Sequence, residues 1–262
     1  MIIKSLSEIT PDLISITIDE SFHESLNDAI FPENLQEIII NYYTLSLVGV
    51  KFPKKLQKLS IFDSQSLIGI QFPEFLQELD LFHNNHSLNK IILPENLYKL
   101  TLTNFKYSLV ELKFPKNLQI LELYDCETSL IGVVFPENLQ ELYLSYYTCS
   151  LIGVVFPEKL RKLSLFEPSH QLDDVNLANI QELVLHIYQF PLNIQFPEYL
   201  KRLALYYCKS PLNYDFPHEL IIVIDTLIDN AKFEFIKTED DMYYYTYLKY
   251  PRDHFIKTKM NL

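Results

Sequence analysis

The sequence predicts a single solenoid of about eleven short repeats, with parallel strands stacked along one side and little helix. A Phe-Pro or Leu-Pro pair recurs along the chain, in most cases 20 or 21 residues after the previous pair. Between the pairs, leucine and isoleucine return to the same positions in nearly every copy. A period of this length is typical of chains in which each repeat forms one turn of a coil.

The proline pairs mark the boundary of each repeat. Their prolines are Pro32, Pro53, Pro73, Pro94, Pro115, Pro136, Pro157, Pro197 and Pro217. The one double-length gap contains a degenerate copy, Leu177-Ala178-Asn179-Ile180, and a clean copy reads FPENLQELYLSYYTCSLIGVV over residues 135–155. Proline has no N–H to donate to a sheet, so we expect these pairs to lie outside the strands.

A leucine or isoleucine follows each boundary and begins the phrase L-x-x-L-x-L. These anchors are Leu13, Leu35, Leu56, Leu76, Leu97, Leu118, Leu139, Leu160, Ile180, Leu200 and Leu220. The residue three positions on is apolar in every copy, and five positions on only Asp225 departs from Ile or Leu. Side chains alternate across a strand, so these two positions face one side and the residue between them faces out. One strand cannot bury them alone, so the copies must stack.

The predicted strands cover residues 14–19, 36–41, 57–62, 77–82, 98–103, 119–124, 140–145, 161–166, 181–186 and 201–206. The return segments are too short for a full helix, which favours extended or 3-10 turns on the other side. We expect the phenylalanines before the prolines to stack there as an aromatic spine: Phe31, Phe52, Phe72, Phe114, Phe135, Phe156, Phe196 and Phe216.

The repeats are expected to span residues 9–225, after a flank of residues 1–8. Residues 226–262 change character, because 231–236 alternate between apolar and polar and 242–248 are rich in tyrosine. The pattern favours a hairpin that caps the open end of the core. A separate interaction tail is the alternative.

The charge balance bears on the partner. The formal net charge is −12 and the pI is near 5.0, whereas nucleic acids and anionic membranes attract basic surfaces. No stretch approaches 18 apolar residues and the N-terminus has no uninterrupted apolar segment, so we expect neither a membrane span nor a secretory signal. Three cysteines without a CxxC pair fit a reducing compartment. We therefore expect an intracellular, cytoplasmic protein, or a host-cytoplasm or particle protein if viral, with a protein as partner.

The anchored phrase resembles the leucine-rich-repeat superfamily, whose consensus L-x-x-L-x-L-x-x-N/C-x-L is met across about residues 9–225. At the last polar position Asn84, Cys126 and Cys208 match, whereas Tyr43, Phe105, Tyr147 and Tyr188 do not. Within the superfamily, F-P-x-x-L-x-x-L-x-L and the period resemble the FNIP-type repeats of protists and large DNA viruses, without their Phe-Asn pair. The L-P-x-x-L-x-x-L phrase is also similar to short repeats of bacterial effectors.

The resemblance implies a leucine-rich-repeat solenoid of mostly β structure, with the sheet on its concave side and a protein-binding role. Some relatives carry an F-box or a ubiquitin-ligase domain. Three functions follow as hypotheses: a non-catalytic scaffold that binds a protein on the concave face, a structural subunit of a larger assembly such as a viral particle, or a substrate-recognition adaptor in ubiquitin transfer.

Two columns of the alignment describe the expected binding face. One alternates in charge, as Glu37, Lys58, Glu78, Lys99, then Glu141, Lys162, Glu182 and Arg202, and predicts an ion-pair ladder between neighbouring strands. The other is aromatic and lies beside acids. The candidate partner-binding residues are Phe62, Phe82, Tyr124, Tyr143, Phe166, Tyr206, Asp80, Glu122, Asp125 and Glu167. The alternative is that several of these aromatic side chains turn inward or pack on one another along the rim.

Motifs for catalysis and for cofactors give little signal. His83 and His86 have the spacing of some zinc ligands, but no cysteine or second pair lies near them. Cys126 and Cys208 share a column four repeats apart, too far for a disulfide. Four glycines in the whole chain do not form a phosphate-binding loop. We expect no catalytic site, metal, cofactor or small-molecule substrate.

Overall fold

The computed structural model describes residues 1–62, 67–83, 86–192, 194–208, 220–225 and 244–246. Within them the strands are β1 Ile2–Ile3, β2 Ser15–Ile18, β3 Glu37–Asn41, β4 Lys58–Phe62, β5 Glu78–Phe82, β6 Lys99–Thr103, β7 Ile120–Tyr124, β8 Glu141–Ser145, β9 Lys162–Phe166, β10 Glu182–His186, β11 Arg202–Tyr206, β12 Ile221–Asp225 and β13 Tyr244–Thr246. Two short 3-10 helices, Leu6–Glu8 and Leu26–Asp28, are the helical segments of this described part.

All thirteen strands of the described residues join one sheet in the order of the sequence, and each neighbouring pair is parallel. From β3 to β11 the register follows the leucine columns, so that Leu142 lies between Leu121 and Leu163 on the neighbouring strands. In the last copy the predicted columns are wrong by one residue, because Val223 pairs with the outward Ala204 and Asp225 pairs with Tyr206. The predicted fold class is confirmed: a parallel-strand solenoid with almost no helix. The predicted strands from 36–41 to 201–206 agree with β3 to β11 to within a residue.

The core lies between the sheet and the return segments. The anchors from Leu35 onward and both inward positions of β3 to β11 are buried, with Leu139 and Leu142 fully inaccessible and Leu144 1% exposed, whereas the first anchor, Leu13, is partly buried. A strand of five residues therefore buries its second and fourth side chains and turns the first, third and fifth outward. Each turn is covered by the turns before and after it, so the core is continuous along the coil.

Three tyrosines that stand at the consensus asparagine position bond to the backbone of the preceding turn from inside the core. The Tyr147 hydroxyl accepts a hydrogen bond from the buried N–H of Leu130 at 3.0 Å. Tyr43 and Tyr188 accept the equivalent bond from the backbone one turn earlier, each at 2.9 Å. Burial raises the pKa of Tyr147, so its hydroxyl stays protonated at neutral pH. Each of these hydroxyls therefore satisfies a backbone N–H of the preceding turn.

The aromatic spine forms along the return segments in the described repeats. Phe31 stacks on Phe52 with ring centroids 6.4 Å apart, and Phe135 lies 6.5 Å from both Phe114 and Phe156. Most of these rings are only partly buried against the core. Phe216, the last expected member, lies outside the described residues.

The sequence predicts that Thr101, between the inward leucines of β6, is exposed, and this is wrong. Thr101 is only 4% exposed, because the longer side chains of its cross-strand neighbours Asp80 and Glu122 flank it. Its hydroxyl donates to Glu122 at 3.2 Å. Short residues in the middle of the outward face are therefore covered by their neighbours.

The predicted C-terminal cap lies largely outside the described residues, including 226–243 and 247–262. The exception is β13, which pairs in parallel with β12. The hairpin and the boundary at residue 225 remain predictions.

The stacked leucines predict a large loss of stability when one is shortened. Leu142→Ala should lower the free energy of unfolding by about 2–5 kcal/mol, because the flanking turns cannot collapse into the cavity. The control is Ser164→Ala on the outward side of β9, which should change it by less than about 0.5 kcal/mol. Urea unfolding followed by circular dichroism measures both, and equal losses would contradict the register.

The hydrogen bonds of the buried tyrosine hydroxyls predict that removing one of them lowers the stability of the fold. Tyr147→Phe leaves the buried N–H of Leu130 without an acceptor and should cost about 1–3 kcal/mol. Tyr146→Phe is the matched control: that side chain is 46% exposed, and its hydroxyl should contribute less than about 0.5 kcal/mol. Thermal unfolding of both variants tests this, and an unchanged Tm for Tyr147→Phe would show that the hydroxyl does not support the fold.

Candidate functional site

The outward face of the sheet carries the candidate site in three columns. The first residues of the strands form the charge column, and the third residues form the middle column, which includes Asp80, Glu122 and Tyr143. The fifth residues form the aromatic column, which includes Phe62, Phe82, Tyr124, Phe166 and Tyr206. Asp125 and Glu167 come directly after a strand. Pairing in register places each column in a line across the strands.

The predicted ion-pair ladder forms, with one departure. Lys58 lies 3.8 Å from both Glu37 and Glu78. In the second half of the face, Lys162 lies 3.9 Å from Glu141 and 3.7 Å from Glu182, and Arg202 pairs with Glu182. Pairs that are partly exposed contribute little each, so the ladder chiefly neutralises the column and favours its register.

The departure is Lys99, whose side chain pairs with a carboxylate of the middle column instead of one in the charge column. Its ammonium lies 2.8 Å from Glu122, whose side chain is 15% exposed. Burial alone lowers the pKa of Lys99, but the hydrogen bond and charge of Glu122, together with the charges of Asp80 and Glu78, raise it, and the net shift is upward. Glu122 also accepts from Thr101 and, at 3.3 Å, from the Tyr124 hydroxyl. Glu122 is therefore internally neutralised.

Tyr143 is held by its neighbours in the same manner. Its hydroxyl donates to Glu141, and the Lys162 ammonium lies 5.1 Å from the centre of its ring. Burial, followed by the hydrogen bond to Glu141, raises its pKa. Asp80, the other acid of the middle column, accepts from the Ser60 hydroxyl at 2.8 Å. The acids of the middle column are thus engaged within the protein.

The aromatic column packs on itself, as the alternative interpretation of the sequence held. Phe62 and Phe82 stack with centroids 4.0 Å apart and planes 2° from parallel. Phe166, His186 and Tyr206 form a second stack with separations of 5.5 and 4.3 Å. These side chains are nevertheless half-exposed. The structure thus divides the predicted site into two aromatic groups.

Tyr124 lies between these groups rather than in either. Its cross-strand neighbours are Thr103 and Ser145, and its hydroxyl is bonded to Glu122. Burial, with the charge of Glu122, raises its pKa.

The second stack borders an apolar cluster that sequence reasoning missed. Val184, Ala204 and Val223 line the middle column of β10 to β12 and pack against Tyr206. They are outward-facing by register, yet each is less than 9% exposed. The signal was available, because this column changes from Ser, Asp, Thr and Glu in β4 to β7 to Val and Ala in β10 and β11. The face is therefore polar at one end and apolar at the other.

The rim beside the second stack carries exposed acids. Asp125, Tyr146 and Glu167 follow three successive strands, with φ values of 51°, 52° and 49°. In each of these residues the backbone N–H donates to the carbonyl oxygen of the last residue of the next strand. The left-handed conformation therefore turns the chain away from the sheet and still adds one more hydrogen bond between the strands. Tyr146 meets the edge of Phe166 at 5.1 Å. Among the described residues neither acid takes part in an ion pair.

The other chemistry-bearing residues lie apart from this face. His83 contacts the Asn104 side chain at 3.1 Å, and the described residues hold no cluster of three potential metal ligands. Cys126 and Cys208 are buried free thiols and Cys149 is partly exposed. Burial raises the pKa of Cys126 to about 11. No helix in the described portion is long and apolar enough to cross a membrane.

A family model described as the BspA-type leucine-rich-repeat region matches in six copies, over residues 17–124 and 101–206. These ranges contain β3 to β11 and hence the whole candidate face. No curated protein gives a significant match.

Two solved structures are similar in fold. One is described as CroV588, a novel circular leucine-rich-repeat protein, with a TM-score of 0.55, 16% identity, and coverage of 87% of this chain and 42% of that chain. The other is YopM from Yersinia enterocolitica, with a TM-score of 0.41, 19% identity, and coverage of 85% of this chain and 49% of that chain. This chain therefore spans less than half the length of either structure. At such identity the likeness concerns the fold alone.

Proposed function

Because the chain belongs to the family of BspA-type leucine-rich repeats, we propose that it is a non-catalytic scaffold that binds a protein partner on the outward face of its sheet. The fold supplies a surface of evenly spaced side chains, and such repeats are commonly used for protein–protein interaction. What the surface recognises depends on its residues and not on the fold.

One observation carries the proposal: the half-exposed stack of Phe166, His186 and Tyr206 beside the apolar cluster of Val184 and Ala204. Aromatic side chains that are already fixed lose little conformational entropy on binding, and they dominate the energetics of many interfaces. Burial lowers the pKa of His186, so at neutral pH its ring adds no charge to the stack. This end of the face can therefore bury apolar groups of a partner.

The charges indicate what lies around that apolar centre. The ladder and the acids of the middle column are neutralised within the protein, whereas Asp125 and Glu167 remain exposed on the rim. Those acids favour a partner with lysine or arginine at the edge of its interface, where charge steers association more than it holds the complex.

Catalysis is the weaker hypothesis. A reactive cysteine needs a thiolate at neutral pH, whereas burial raises the pKa of Cys126 to about 11. The tyrosines of the face have raised pKa values, because they are partly buried and hydrogen bonded to carboxylates. Such hydroxyls are poor proton acceptors at neutral pH.

The test requires the native partner, isolated from the source cell with the tagged full chain and then purified. Phe166→Ala with Tyr206→Ala should weaken its binding by about a hundredfold or more, the usual effect of removing central aromatic anchors. The control, Glu74→Gln with Glu95→Gln on exposed parts of return segments, should leave Kd unchanged. Calorimetry on variants with confirmed thermal transitions measures both. Loss in the control alone would move the interface to the return segments.

Removal of the rim acids should have a different kinetic effect. Asp125→Asn with Glu167→Gln should slow association and flatten its dependence on salt, with little change in the dissociation rate. Surface plasmon resonance at several salt concentrations separates these rates. A change confined to dissociation would place the acids inside the interface.

A further inference from the structure

The aromatic spine on the return segments is interrupted twice: by the buried Leu93 in one copy, and in the copy after Phe156. In the copies just before this second interruption, a phenylalanine precedes the proline, and rings on successive turns lie next to each other. The ring centroids of Phe135 and Phe156, for example, are 6.5 Å apart. The following copy has neither the phenylalanine nor the proline. Phe156 therefore has no spine ring on the side toward the next turn.

The backbone shows how the interruption arises. Two backbone hydrogen bonds mark equivalent positions in the two copies. The Val154 N–H donates to the Leu151 carbonyl oxygen in the first copy, and the Val175 N–H donates to the Leu172 carbonyl oxygen in the second. Likewise Leu160 bonds to Pro157, and Ile180 bonds to Leu177. Between these equivalent points the first copy has Val155 and Phe156, whereas the second has Asn176 alone. The degenerate copy is thus one residue short at the position of the spine.

A cleft of about 100 Å³ occupies this place. Phe156, Pro157 and Leu160 line one side and the segment 176–180 lines the other. Asn176 does not fill it with an apolar group, because its side chain accepts from the N–H of Ala178 at 3.1 Å. We call this cleft the spine gap.

The lip of the spine gap is more apolar than the fold requires. Val155 is 80% exposed, and Val134 one turn earlier is 76% exposed. The same position, immediately before the spine residue, holds Lys51, Lys113 and Gln71 in three other copies, and the exposed isoleucines Ile30 and Ile92 in two more. The solenoid therefore accepts a charged residue there, and the valines beside the gap are not needed for folding.

Acidic groups border this apolar strip, together with two basic side chains that are hydrogen bonded within the protein, Lys159 to Asn138 and Arg161 to the Glu158 carbonyl oxygen. Glu137 and Glu158 follow the two prolines at the lip, and Asp174 lies on the turn that leads into Asn176; all three are exposed. An exposed apolar strip next to a cleft, with carboxylates around it, is complementary to an apolar side chain flanked by basic residues.

We propose that the spine gap binds a phenylalanine side chain of a partner polypeptide that carries lysine or arginine beside it. The ring takes the place of the missing spine phenylalanine against Phe156, the adjoining backbone lies along Val155, and the basic groups approach Glu158 and Asp174. The chain itself contains a segment of this chemistry, V-K-F-P-K-K at residues 50–55. This surface is separate from the sheet face and does not depend on the function proposed for it.

The experiment titrates the full chain, labelled with ¹⁵N and deuterium, with the peptide acetyl-VKFPKK-amide. The proposal predicts NMR shifts confined to residues 154–160 and 176–180. Acetyl-VKAPKK-amide should give no shifts there, because it keeps the charge and lacks the ring. Phenylalaninamide should bind at least about tenfold more weakly, because it lacks the basic flank.

Two matched pairs of variants test the location. Val155→Lys should weaken peptide binding by at least about tenfold, roughly the effect of losing one buried valine contact. Ile92→Lys makes the same change at the same position of a distant turn and should have no effect. Phe156→Leu should also weaken binding, whereas Phe52→Leu should not. The fold accepts leucine at the spine position, because Leu93 stands there in another copy.

Three results would overturn the proposal. They are unchanged binding in Val155→Lys and Phe156→Leu, equal binding of the alanine peptide, and shifts that map to the sheet face. Phenylalaninamide binding as tightly as the peptide would also overturn it, because the gap would then be a site for a free aromatic molecule.

Discussion

The alignment of inward leucines from strand to strand is the constraint on which the rest of the structure depends. Each turn contributes an anchor and two strand residues, such as Leu139, Leu142 and Leu144, and none of these can be buried without the turns on either side. Parallel pairing in register follows from this need, because a slip of one residue would turn every leucine outward. The outward columns are a consequence of the same register. The ladder, the aromatic stacks and the rim acids repeat at the spacing of strands because the leucines do.

The strands could be predicted from the sequence because their signal is repeated in every copy. A single five-residue strand gives a weak pattern, but aligned copies make the alternation unambiguous. The details that depend on side-chain choice between neighbours could not be predicted. Lys99 has Glu78 beside it and yet pairs with Glu122 on the other strand. Thr101 faces outward and yet is buried, because its neighbours are longer. Tyr147 departs from the consensus and yet is buried and accepts a hydrogen bond from the Leu130 N–H.

The surface of the coil divides into parts that are satisfied internally and parts that are not. Most charges of the sheet face pair within the protein, so the polar end around Glu122 offers a partner little that is unoccupied. The apolar end around Phe166 and the spine gap around Phe156 differ, because each exposes apolar groups beside carboxylates. The first follows from the column pattern and could be located from the sequence. The second arises from one missing residue in a degenerate copy, and its consequence becomes visible only when the turns are stacked.

Removal of one complete repeat tests most directly whether the stacked turn is the unit of the fold. Deletion of residues 119–139 joins Leu118 to Gln140, and Gln119 follows Leu118 in the intact chain, so every remaining leucine keeps its column. The account predicts a protein with the same β-type circular dichroism per residue and one cooperative urea transition. Its m-value should be slightly smaller, in proportion to the shorter chain. Deletion of residues 119–128 removes a strand without its return segment and should abolish the transition. An unfolded product from the whole-repeat deletion, or a folded one from the half-repeat deletion, would contradict the account.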